Sequence, residues 1–201
     1  MAPTEPIIAA RSDQPIPRYS THPFPAYRYI PGRLPHPTAH PAGHSVGPSQ
    51  PVGVDPLIKE GWPQHPQYQF GIDLFNHGFW WEAHEAWESL WQASDRQAAA
   101  GLFLQGLIQY AAVLLKLYQG TTRGVDGLLR GAMAKLAQAE AECQAEGVSA
   151  SALSGFHFPA WRARAAAFVQ VARSTAGEDP LRMSGYPVIV LSSPRASSTG
   201  A

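Results

Sequence analysis

The residues best suited to chemistry lie within thirteen positions, FWWEAHEAWESLW (79–91), which hold four tryptophans, three glutamates and one histidine. His84 and Glu88 are four residues apart, so on a helix they are neighbours on one face, with Glu85 beside them. An imidazole and a carboxylate at this spacing can bind a divalent metal ion, or they can transfer protons, with His84 and Glu85 as acid and base. A histidine hydrogen-bonded to a glutamate for stability alone accounts for the spacing equally well.

Helical periodicity divides this segment into a core-facing stripe and a polar flank. The core stripe consists of Trp80, Ala83, Trp87, Leu90 and Trp91. Trp81, Glu85 and Glu88 lie on the flank, and Glu82 points away from the core. The segment HEAWE has Glu88 where the zincin pattern HExxH has its second histidine, so it does not indicate a metalloprotease.

A second group of polar residues interrupts the apolar run LFLQGLIQYAAVLLKLY (102–118). Gln105, Gln109 and Lys116 fall on one row of this helix. They face either a strip of solvent, which is the simpler interpretation, or a cavity where two amides and a charge bind a ligand. The same three residues, in a run of only 17, favour a buried central helix over a membrane span.

The first third of the chain contains most of the prolines and the histidines His22, His36, His40, His44 and His65. Proline excludes regular helix there, and the aromatic side chains of the segment need a surface to cover them. We therefore expect an extended arm that packs on the helices and covers Trp81. Such an arm would bring His36 or His44 near the carboxylates, completing a metal-ligand set.

From residue 68 to about 173 the pattern is helical. We predict an all-α fold, a compact bundle of about five helices with an extended proline-rich N-terminal arm packed on it. The predicted helices are 68–76, 79–92, a third after an Asp95 cap, a fourth after a Thr121 or Thr122 cap, and a fifth from Pro159. The predicted regions are an arm (1–60), a bundle (61–175) and an extended tail (176–201), whose segment 186–191 is an edge strand or a strap.

Composition narrows the classes of partner. The chain of 201 residues is 45% hydrophobic, and Lys plus Arg (15) balance Asp plus Glu (15). Without net charge there is no field to attract phosphate backbones or anionic lipid, which disfavours nucleic acid and membrane as partners. The single cysteine, Cys143, excludes an internal disulfide, and the chain start does not read as a secretory signal. We therefore expect a cytoplasmic protein.

The residues GIDLFNHGFWWEAHEAWESLW, FLQGLIQYAAVLLKLYQGTTRGVDGLL and LLRGAMAKL resemble the uncharacterised helical group known as domain of unknown function family 309. The resemblance covers about residues 68–145 and implies a compact helical bundle but no reaction. Its pattern matches at Glu82, His84, Glu85, Glu88, Trp91, Gln105, Gly106 and Gln109. Glu82 and Glu85 therefore form either salt bridges, with Arg28 or Arg123, or a site that the arm completes.

Together these features favour a helical domain that binds a small molecule or a divalent transition metal in a pocket between its second and third helices. The predicted metal ligands are His84, Glu85, Glu88, His36 and His44. The predicted ligand-binding residues are Trp81, Glu88, Gln105, Gln109 and Lys116. A metal-dependent or acid/base hydrolase and a protein-interaction scaffold are the alternatives, and homo-oligomerisation is left open.

Overall fold

The computed structural model describes residues 16–45 and 62–192. Its α-helices are α1 (Pro66–Asn76), α2 (Trp80–Ala93), α3 (Ala99–Tyr118), α4 (Val125–Ala145), α5 (Ala150–Ser154) and α6 (Phe158–Ala172). Single 3-10 turns occur at Trp62–Gln64, Arg173–Thr175 and Pro180–Arg182. Within the described ranges there is no β-strand, and the predicted all-α bundle is confirmed.

Helices α1 and α6 begin at a capping histidine followed by a proline. The imidazole Nδ1 atoms of His65 and His157 accept hydrogen bonds from the backbone N–H groups of Gln67 and Ala160. A proline in the first turn suits a helix, since its missing N–H has no partner there and its fixed φ is helical. Both starts lie within two residues of their predicted positions.

Two predicted helix caps are wrong. Asp95 does not cap α3, because its carboxylate accepts a hydrogen bond from the backbone N–H of Gln97 in the preceding turn. Thr121 and Thr122 do not cap α4, which starts directly after Gly124 without a side-chain cap. Gly124 has a φ of 81°, a left-handed conformation that glycine adopts at little energetic cost. The glycine turn therefore takes the place of a hydroxyl cap.

The sequence prediction also missed the five-residue helix α5. Its cap is Ser149, whose hydroxyl accepts a hydrogen bond from the backbone N–H of Ala152, and it ends at Gly155, where φ is 77°. A helix this short shows too little periodicity to be detected.

Helix α3 is the central helix of the bundle. It packs between α2 and α4, and most of its side chains are buried. Gly106 permits close contact with α4, since a Cβ atom at this position would lie 2.6 Å from Leu136 Cγ. By length and hydropathy α3 is able to span a membrane, but 67% of its apolar window is buried inside the bundle. Such burial is typical of a core helix.

The segment after α6 is an extended strap. The side chain of Asn76 makes two 2.8 Å hydrogen bonds to the backbone of Ile189, one to each polar group. Trp161 Nε1 donates to the carbonyl of Pro187 at 2.7 Å. Helix side chains therefore satisfy backbone groups that a neighbouring strand would otherwise pair.

The described part of the arm packs on the bundle through a buried carboxylate of α1. Asp73 has no exposed surface, and it accepts hydrogen bonds from the backbone N–H groups of Tyr19 and Ser20, both at 2.8 Å. The hydroxyl of Ser20 and Nε of Arg18 donate to the same carboxylate, at 2.7 and 3.3 Å. Four donors compensate the desolvation of one buried charge.

Further contacts extend along the arm. The ring of Phe24 stacks on Phe79 with centroids 5.0 Å apart, and the guanidinium of Arg28 pairs with Asp179 at 2.9 Å. The arm thus follows the surface of α1 and the start of α2, and reaches the segment after α6.

We predict that Asp73→Ala lowers the free energy of unfolding by about 3 kcal/mol, since the arm donors lose a charged acceptor. Urea denaturation measures the change. The matched control is Asp126→Ala, which removes an exposed ion pair with Arg173 and should change stability by less than about 1 kcal/mol. Equal stability of Asp73→Ala and the wild type would show that this carboxylate does not hold the arm.

Candidate functional site

Three side chains on the exposed flank of α2 converge on one point. Ligand atoms of His84, Glu85 and Glu88 lie within 4.8 Å of one another. His84 Nε2 is 3.5 Å from Glu88 Oε2, and about a third of each of these two side chains is exposed (31% and 36%). The i, i+1, i+4 spacing places all three on one side of the helix. The structure therefore brings together the three helix residues that the sequence singled out.

The surroundings of Glu85 raise the pKa of its carboxyl group. Although it is exposed, surrounding side chains partly desolvate its carboxylate, and this desolvation raises its pKa above the ordinary value. Repulsion from Glu88 and Glu82 acts in the same direction, whereas His84 and His36 lower the pKa. The net result is a carboxylate whose negative charge lacks full compensation.

Glu82 lies in a different environment from the one predicted. Helical periodicity placed it farthest from the core, but only 5% of its side chain is exposed. Its Oε1 accepts hydrogen bonds from the backbone N–H of Tyr29 at 2.9 Å and from His44 Nε2 at 3.0 Å. Helical periodicity indicates only which face of α2 packs on the other helices, whereas the arm covers the face that carries Glu82. Glu82 therefore binds the arm, and Arg28 pairs with Asp179.

The arm also covers Trp81, as the sequence predicts. The rings of Tyr29 and His36 meet the indole edge-on, with centroid distances of 5.2 and 5.5 Å. Together, Tyr29, His36 and Trp81 form an aromatic wall next to the His84, Glu85 and Glu88 cluster, because Trp81 lies one helical turn before Glu85.

The arm histidines do not join this cluster. His44 Nε2 contacts a carboxylate oxygen and therefore carries a proton, while its Nδ1 lies 2.9 Å from the hydroxyl of Ser45. In His36, Nδ1 accepts hydrogen bonds from the backbone N–H groups of Thr38 and Ala39, at 3.3 and 3.2 Å. A metal ligand needs a free nitrogen lone pair, which neither ring has in this arrangement. In this arrangement neither ring offers a lone pair to the cluster, and the roles of His36 and His44 as metal ligands stay predictions.

The polar row of α3 lies on the side of α4 rather than opposite the cluster. A Cβ atom on Gly131 of α4 would lie 2.8 Å from Gln109 Oε1, and one on Gly124 would lie 4.0 Å from Lys116 Cε. Gln105, Gln109 and Lys116 are all half-buried. In the described ranges, no hydrogen bond joins these three residues to α2. The structure therefore does not bring them together with His84, Glu85 and Glu88.

Asp73, the carboxylate that holds the start of the arm, is not among the residues predicted from the sequence. A signal was available: Asp73 lies between Ile72 and Leu74 in an otherwise apolar part of the first helix. A carboxylate at such a position requires donors from another segment, because helix neighbours are apolar.

We predict that Glu85→Gln stabilises the metal-free protein by about 0.3 kcal/mol at pH 8, since it removes repulsion from two glutamates one turn away. A raised pKa means that the charged form is disfavoured on folding, so the destabilisation exists above the raised pKa. Below about pH 4 the carboxyl is protonated in both states and the difference should vanish. Thermal unfolding at the two pH values, with Glu142→Gln as an exposed control, measures this. A Glu85→Gln variant less stable than the wild type at pH 8 would contradict it.

The residues of the cluster lie in the part of the chain that is similar to a known family. No curated protein and no solved structure matches the chain. Residues 68–128 match the family model described as domain of unknown function (DUF309), a range that includes most of α1, all of α2 and α3, and the start of α4. The resemblance seen in the sequence is confirmed over residues 68–128, where the chain is similar to this family.

Proposed function

We propose that the exposed flank of α2 binds a divalent transition metal ion through His84, Glu85 and Glu88. The observation that carries this proposal is the convergence of three potential ligand atoms within 4.8 Å. Two metal–ligand bonds of about 2.0–2.2 Å span at most about 4.4 Å, so small side-chain rotations that bring these atoms closer together let them contact one ion.

The donor set limits the metals to be considered. One imidazole and two carboxylates suit zinc, manganese and iron, since these ions accept nitrogen and oxygen ligands together. Three protein ligands leave at least one coordination position for water or another molecule. The cluster is partly exposed, so such a molecule has access from solvent.

Electrostatics supports a cation at this place. The pKa of Glu85 is raised by desolvation and by the charges of Glu88 and Glu82. A divalent cation between Glu85 and Glu88 would replace this repulsion by attraction. Binding of the ion would also require neutral His84, so acidification should release it.

The test measures Mn²⁺ binding to the full chain, using the loss of the EPR signal of free Mn²⁺ as the readout. His84→Ala and Glu88→Ala should each weaken Mn²⁺ binding at least about tenfold, because even residues that only orient metal ligands contribute this much. The matched controls are His22→Ala and Glu142→Ala, which remove exposed side chains of the same types elsewhere.

Circular dichroism of each variant checks that the bundle is intact. Equal Mn²⁺ affinity of His84→Ala, Glu88→Ala and their controls would refute the site, as would a wild type that does not bind Mn²⁺, Zn²⁺ or Fe²⁺.

A further inference from the structure

His36 lies beside the proposed metal site, and within the described residues only one of its two ring nitrogens, Nδ1, makes hydrogen bonds. Its Nδ1 accepts from the N–H groups of Thr38 and Ala39, so in the neutral ring the proton is on Nε2. The ring is half-buried and packs edge-on against Trp81 and Tyr29. Its remaining polar atom is therefore a hydrogen-bond donor held in a fixed orientation.

Among the described residues, this donor has no protein acceptor. All hydrogen bonds that His36 makes within the described residues involve Nδ1. The ring lies against Trp81, with centroids 5.5 Å apart, and Trp81 is one helical turn before Glu85. A half-buried donor without a partner, next to potential metal ligands, is suited to bind a molecule that occupies the metal's open position.

Charge indicates which class of molecule fits. A divalent ion with the carboxylates of Glu85 and Glu88 has no net charge. An incoming anion would thus gain no net attraction. A neutral carbonyl compound can still place its oxygen on the metal and accept a hydrogen bond. The aromatic wall of Tyr29, His36 and Trp81 provides an apolar surface beside it.

We infer that the site binds a neutral carbonyl compound, an amide or ester, whose oxygen coordinates the metal and accepts a hydrogen bond from His36 Nε2. This inference rests on the proposed metal site. It assigns His36 to the binding of the ligand and not to the binding of the metal.

The chain offers a matched pair of variants for the test. In His36 and in exposed His40, Nδ1 accepts a backbone N–H from the residue two positions later. An asparagine side chain makes the same local hydrogen bond, so His36→Asn and His40→Asn both preserve their turns. Only His36→Asn removes a donor from the aromatic wall.

The experiment titrates Mn²⁺-loaded full-length protein with trifluoroacetamide and, separately, with its anionic counterpart trifluoroacetate. Broadening of the ¹⁹F signal by the bound paramagnetic ion reports binding near the metal. The wild type should bind the amide more tightly than the carboxylate. His36→Asn should weaken amide binding about fivefold, as expected for one hydrogen bond, and should leave the Mn²⁺ affinity unchanged. The control His40→Asn should have the amide and Mn²⁺ affinities of the wild type.

Three results would overturn the inference while leaving the metal site in place. The first is equal amide affinity in His36→Asn and the wild type, and the second is tighter binding of trifluoroacetate than of trifluoroacetamide. The third is a tenfold loss of Mn²⁺ affinity in His36→Asn, which would make His36 a positioning residue for Glu85. A wild type that binds none of Mn²⁺, Zn²⁺ and Fe²⁺ would overturn both proposals.

Discussion

The structure depends on two buried carboxylates that accept hydrogen bonds from the arm. Asp73 of α1 and Glu82 of α2 both take backbone N–H groups of a segment that has no regular secondary structure. A buried carboxylate without donors would be strongly destabilising, and so would a buried arm without acceptors. The arm donates hydrogen bonds to both oxygens of Asp73 and to Oε1 of Glu82, so the arm and the bundle stabilise one another.

This constraint divides the carboxylates of α2 into two functional groups. Glu82 faces the arm, and its carboxylate accepts hydrogen bonds from the backbone N–H of Tyr29 and from the ring of His44. Glu85 and Glu88 lie further along the helix, beyond those contacts, where they are partly open to solvent with His84. The same helix thus anchors the arm at its start and presents a cluster of potential ligands in its next turn.

The arm also determines the chemical character of the surface beside the cluster. It contributes the rings of Tyr29 and His36, which with Trp81 form an apolar wall next to charged groups. Hydrogen bonds within the arm fix the imidazole orientation of His36, because two consecutive backbone N–H groups point at Nδ1. An arm without regular secondary structure therefore orients a side chain through hydrogen bonds to its own backbone.

The amino-acid sequence alone determined the helical class, the main helices and the convergence of His84, Glu85 and Glu88. These properties depend on spacings of up to four residues, which helix geometry fixes without reference to the rest of the chain. Only the tertiary structure decided that Glu82 is buried, that His44 contacts it, and that Gln109 lies against α4. These outcomes depend on residues about 20 to 50 positions apart, whose contacts follow from how the arm and helices pack and not from any local periodicity.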